Sequence, residues 1–144
     1  MPHLAIEWKS VFGIALAFSA VALSLPAPVV AQESDQVTFS KDIAPILQRS
    51  CQQCHRPNGV APMPLVTYED VQPHAMAMMR RTGIRDRQGT MPPWYVEKDI
   101  GIQQYKDDPS LSDEEVAAIA TWARNGTPEG DRADLPTPLV FEDA

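Results

Sequence analysis

The stretch CQQCH at residues 51–55 constrains this chain more than any other. Both of its two cysteines stand there, two residues apart, with His55 directly behind the second. Any fold of the chain has to bring two thiols and an imidazole to one point. Three chemistries use such a group: a redox disulfide, part of a zinc site, and covalent attachment of a haem. The rest of the sequence has to separate them.

The N-terminal segment bears on the compartment. Residues 11–25, VFGIALAFSAVALSL, form an unbroken apolar or small run. Lys9 precedes it, Pro26 and Pro28 follow it, and Val29, Val30 and Ala31 are small enough for a processing site. This is the pattern of a secretory signal over residues 1–31, cut after Ala31. The alternative is an uncleaved anchor, for which the run is short of the roughly 20 residues a spanning helix needs. Export to a periplasm or its equivalent is therefore expected, with membrane attachment if the segment stays. Removing it takes away Glu7 and Lys9 together, so the formal charge stays at −7. An acidic chain is a poor match for nucleic acid. In an oxidising compartment two cysteines normally close into a disulfide. A loop this short would restrict the unfolded chain very little, so stability is a poor reason for the pair.

The remaining chain reads as helices and stiff loops, with 14 prolines against 7 glycines. A first helix is expected over residues 42–50, capped by Asp42, with Pro45 in its first turn and Ile43, Ile46 and Leu47 on its buried stripe. A second starts at Thr67, which precedes the acidic pair Glu69 and Asp70. Pro73 should kink or restart it, Val71, Ala75 and Met79 share a face, and Gly83 or Gly89 ends it. Residues 88–111 have no clean period and read as a long loop, of the kind that is usually functional or wrapped around something. The strongest helix follows, opened by a capping box of Ser112 and Glu115 and closed at Asn125-Gly126. Val116, Ile119, Ala120 and Ala123 form its apolar face, with Trp122 at one edge. Residues 127–144 read as an extended, proline-rich acidic tail, loosely held. The expected class is all-α, about three helices, with a domain over residues 32–126. These helices offer too few apolar residues for a core of ordinary size, and a large apolar ligand would supply the rest.

The three chemistries can now be weighed. A redox CxxC belongs beside a βαβ unit, and the pattern holds none. A structural zinc needs four ligands, and beyond Cys51, Cys54 and His55 the mature chain offers only His74 or a carboxylate. Haem uses every residue of the motif. The two thiols form thioethers with the vinyl groups of one haem c, and His55 supplies an axial nitrogen. For the sixth position the chain offers Met63, Met76, Met78, Met79, Met91 and His74. Met91 is favoured, because Pro92 and Pro93 stiffen the loop behind it and Trp94 and Tyr95 can cover a ring edge. Met63, on the proline-bounded loop APMPL, and His74 are its rivals. Met76, Met78 and Met79 sit at helical positions and read as core or haem-wall residues.

The order helix, CxxCH, methionine loop and closing helix LSDEEVAAIATWARNGTPEG resembles class I cytochrome c domains. More narrowly, FSKDIAPILQRSCQQCHRPNGVAPMPLVTYEDVQPHA, MPPW and the closing helix are together similar to bacterial haem modules that stand in front of copper ascorbate-dependent monooxygenase-like or redoxin domains. The similarity spans residues 37–136. It implies a cytochrome c-like fold wrapped around one covalent haem, with Cys51 and Cys54 as attachment points and His55 and Met91 as the iron ligands. It implies a single-electron carrier between redox proteins, not an enzyme, working alone or with a larger membrane or periplasmic complex. Without Met91 on the iron, the same chain would be a gas-binding or enzymatic haem module. The chain departs from the pattern by stopping after the haem module. Its histidines are 3, 55 and 74 alone, so copper-site chemistry does not carry over.

One basic segment stands out in this acidic chain. Arg80, Arg81, Arg85 and Arg87 fall within RRTGIRDR. They read as a docking patch for a redox partner, as donors to haem propionates, or as a solvated helix face. Tyr68 and Trp122 divide similarly between haem contact and core.

Overall fold

The computed structural model describes residues 36–141 apart from Lys98 and Gln103. The signal sequence expected over residues 1–31 lies outside them. Among the described residues the secondary structure is helical, with no strand. No helix among them is long and apolar enough to cross a membrane.

The chain enters through a π-helical turn, Phe39–Ile43, that runs into helix α1, Ala44–Ser50. The start lies one turn before the expected one. Thr38, not Asp42, is the cap: its hydroxyl accepts from Lys41 N–H. Asp42 instead reaches back and accepts from Thr38 N–H at 2.7 Å. The acid thus fills the reciprocal half of a capping pair, because Thr38 offers a hydroxyl one turn earlier. The stripe holds as expected, with Ile43, Ile46 and Leu47 buried.

Helix α2, Tyr68–Val71, begins at Thr67 with a capping box closed by Asp70. Pro73 falls in a single 3-10 turn, Gln72–His74, after which the chain restarts as α3, Ala75–Thr82, and stops at Gly83. Helix α4, Asp113–Arg124, carries the Ser112–Glu115 capping box. It ends at Asn125, and Gly126 follows at φ +82°. Helices α3 and α4 pack together, and the π-helical turn packs on α1 and α4.

The core gathers Phe39, Ile43, Leu47, Leu65, Val71, Ile119 and Trp122. Trp122 was expected at an edge of α4 and is instead completely buried. Its ring centroid lies 6.2 Å from that of Phe39, and Tyr68 meets Phe39 edge-on at 5.5 Å. The indole N–H donates to Pro128 O at 3.0 Å. Tyr68 is therefore anchored in the same cluster, with its hydroxyl donating to Thr127 O at 2.8 Å.

These contacts also correct the expectation of a loosely held tail. Phe39 and Ser40 N–H donate to Pro128 O and Glu129 O, both at 2.9 Å. Further along, Gln48 Nε2 donates to Thr137 O at 3.1 Å, and Arg132 bridges Glu129 and Glu69. The Arg56 guanidinium stands 4.4 Å from the Phe141 ring centre. Residues 127–141 form a strap that ties the end of α4 to α1 and to the loop after His55. Composition gave no sign of it, because the strap is held mostly through backbone carbonyls, which any sequence supplies.

Candidate functional site

The site is built at the C-terminal end of α1. Cys51 closes the helix, its N–H donating to Leu47 O at 2.9 Å. The chain then turns once more: Cys54 and His55 N–H donate to Cys51 O at 3.1 and 2.9 Å. This turn fixes the two cysteines and the histidine on one short, hydrogen-bonded segment. Gln52, between the cysteines, is buried and donates through Nε2 to Leu65 O at 3.0 Å. Gln53 beside it is exposed.

The loop that follows folds back over the motif. Ala61 N–H donates to Cys54 O at 3.1 Å, and Leu65 N–H donates to His55 O at 2.9 Å. Asn58 takes the left-handed conformation at φ 61°. At Gly59 a Cβ would stand 2.3 Å from Cys54 O, so only glycine permits this approach. The fold-back delivers the Met63 carbonyl to His55, 3.0 Å from Nδ1. A carbonyl only accepts, so Nδ1 carries a proton, and in the neutral imidazole Nε2 is the nitrogen that keeps its lone pair. Metal-ligating histidines are oriented by this kind of bond.

Cys51, Cys54 and His55 line a cavity of about 460 Å³, a size usual for a ligand site. Its other walls are Val60–Met63 from the fold-back loop, Ala77, Met78, Arg81 and Thr82 from α3, Ile119 from α4, and Met91, Pro92 and Pro93. His74 also lines it. The structure therefore brings the whole CxxCH group together with the favoured sixth-position candidate, Met91, and with its rivals Met63 and His74. Of the other methionines, Met78 lines the same cavity and is buried as expected, while Met76 is half-exposed and lines neither core nor cavity, against the expectation.

Burial at Cys51 suits an uncharged sulfur. Burial pushes the Cys51 thiol from 9.0 up to about 12, against the pull of the Arg49 charge, with Cys54 and Glu115 adding to the rise. A thiolate, needed for zinc or for disulfide exchange, is disfavoured there. A thioether carries no charge and escapes that cost. Among the described residues, no three His, Cys, Asp or Glu side chains are gathered closely enough to hold a metal ion between them. The residues fit a haem c on these grounds: a mostly apolar cavity, two thiols and one oriented imidazole on its wall, and a thioether among the facing groups.

A second cavity of about 430 Å³ adjoins the first, sharing Thr82, Met91 and Pro92. It is more polar, with Arg85, Thr90, Trp94, Ser110 and Ser112 in its walls. The four arginines of the basic segment do different work. Arg81 donates to Gly89 O at 3.3 Å. Arg85 donates to Leu111 O at 3.0 Å and pairs with Asp113 at 3.2 Å, tying the end of α3 to the start of α4. Arg87 pairs with its neighbour Asp86. Arg80 is exposed on α3.

Sequence reasoning missed Gln52, Gly59 and the Met63 carbonyl as parts of the site. Asn58-Gly59 signalled a turn, but not that the turn would press against Cys54. Nothing in the sequence marks which carbonyl will meet the imidazole. Comparison with family models, with curated proteins and with solved structures yields no match for this chain.

Proposed function

We propose that this protein is an exported monohaem c-type cytochrome with a cytochrome c-like fold, carrying single electrons between redox proteins. The observation that carries the reading is the oriented imidazole. His55, with Nδ1 held by the Met63 carbonyl, directs Nε2 from a CxxCH turn that lines an apolar cavity also lined by Met91.

Bound haem would supply a one-electron iron couple, which ligand type and burial tune. The chain's own residues do the rest. The Cys51 and Cys54 sulfurs would hold the haem as thioethers, each thiol adding across one vinyl group. His55 would give the iron a nitrogen ligand, its Nδ1 proton held by the Met63 carbonyl, and Met91 would give a sulfur ligand. With both of these residues bound, other ligands would be kept out and little would rearrange on reduction. The polar niche that Arg85 lines would be the place for the haem carboxylates. Docking partners would be redox proteins, some membrane-bound, meeting the exposed edge of the cavity.

A second reading has one observation in its favour: Met91 is 41% exposed. A ligand that leaves readily would make the protein a gas-binding or enzymatic haem module. Absorption spectra of protein matured in a host that attaches haem decide between them. Oxidised, reduced, and reduced carbon monoxide-treated samples are compared for wild type, Met91→Ala, Met63→Leu and His74→Gln. Wild type, Met63→Leu and His74→Gln should all stay low-spin and ignore carbon monoxide, while Met91→Ala binds it. Ready binding by wild type would put the second reading first.

A further inference from the structure

We infer that Thr90 is the positioning residue for Met91, an inference that rests on Met91 being the sixth ligand. Between Gly83 and Ser110, Thr90 is the only described residue that is buried. A long loop that buries one residue, and a polar one, is anchored at that residue. The Thr90 hydroxyl donates to Ile84 O and its N–H donates to Arg87 O at 3.3 Å. These bonds close residues 84–90 into a turn. The next residue, Met91, donates its N–H to Arg81 O at 3.1 Å. Arg81 in turn donates through Nη1 to Gly89 O. Gly89 takes φ +97°, and a Cβ there would stand 3.1 Å from that guanidinium nitrogen.

Met91 is thus pinned to the C-terminal end of α3, whose Met78, Arg81 and Thr82 wall the cavity. A neutral thioether is a weak ligand, and its retention depends on how well its backbone is held in place. The Met91 side chain is half-exposed, so packing holds it little. The hydrogen bonds of its backbone and of its neighbour have to do so. The Thr90 hydroxyl is the one element of this clamp that a side-chain change removes without altering size.

The test uses haem-bearing protein with Thr90→Val, Thr90→Ala and Thr90→Ser, beside wild type and Met91→Ala. Two quantities are read. One is the sulfur-to-iron charge-transfer absorption of the oxidised form. The other is the rate of carbon monoxide binding to the reduced form. Thr90→Val and Thr90→Ala should weaken the absorption and bind carbon monoxide about tenfold faster than wild type, a change of about 1.4 kcal/mol in Met91 retention. Thr90→Ser keeps the hydroxyl and should match wild type on both. If the valine variant fails to fold or to attach haem, the alanine and serine variants decide by the same comparison. The inference is overturned if the valine or alanine variant matches wild type, or if serine is as impaired as alanine. It also falls, for a different and visible reason, if wild type and Met91→Ala bind carbon monoxide equally fast. Met91 would then not be the ligand.

Discussion

At the scale of single residues, the site depends on close backbone approaches more than on conspicuous side chains. Gly59 shows why. Its φ is not left-handed, yet a Cβ would overlap Cys54 O at 2.3 Å and crowd Arg56 O at 3.0 Å. A carbonyl held in a hydrogen-bonded turn does not move aside as a flexible side chain would. Gly59→Ala should therefore push the fold-back loop off the CxxCH turn, costing about 2 kcal/mol, within the range of overpacked sites. It should also loosen the Met63 O···His55 Nδ1 bond. With haem attached as proposed, the expected outcome is a lower urea midpoint and a reduced yield of attached haem. An unchanged midpoint would mean the loop can shift without cost, and that the His55 orientation does not depend on it.

At the scale of elements, the capped helices were legible and the long-range ties were not. Thr67 with Asp70, and Ser112 with Glu115, each bond within four residues, so sequence spacing reveals them. Gly83 and Asn125-Gly126 stop their helices for equally local reasons. The cap of the first helix was misplaced because Thr38 and Asp42 can each fill either half of a capping pair. The strap and the position of Trp122 were illegible for another reason. Trp122 Nε1 reaches Pro128 O from only six residues away, but the same carbonyl meets Phe39 N, and Glu129 O meets Ser40, only when segments some 89 residues apart come together. No local pattern encodes a partner some 89 residues away, the separation of Gln48 from Thr137. The strap makes Trp122 a joint between α4, the π-helical turn and the tail. Trp122→Ala should cost about 3–5 kcal/mol, the usual figure for a buried aromatic. Trp122→Phe keeps most of the packing and loses the bond to Pro128 O, costing about 1–2 kcal/mol. Chemical denaturation of the two variants orders these costs. Equal costs would show that the hydrogen bond to the strap, and not the ring volume, carries the residue's contribution.

At the scale of the whole molecule, the small core and the cavity belong to one account. Phe39, Ile43, Leu47, Val71, Ile119 and Trp122 pack on one side, and Ile119 also faces the cavity. The wall of α3 and the fold-back loop therefore depend on whatever fills that space. Cavities in cores cost about 24 cal/mol per Å³, so a dry void the size of this one would cost on the order of 10 kcal/mol. Water entering through the mouth lowers that figure, but it leaves the apolar walls wetted, and burying them is what an apolar ligand would add. A bound, covalently held haem would remove the cost and add contacts along every wall. The haem-free chain, obtained by changing Cys51 and Cys54 to Ala, should consequently show weak helical circular dichroism and no cooperative melting transition at neutral pH. The haem-bearing protein should melt cooperatively. Adding free haem to the double variant should restore part of the transition, since His55 and the apolar walls remain. If the double variant instead melts as sharply and as high as the haem-bearing protein, the helices and strap suffice by themselves. The cavity would then be a preformed site whose ligand contributes function but not fold.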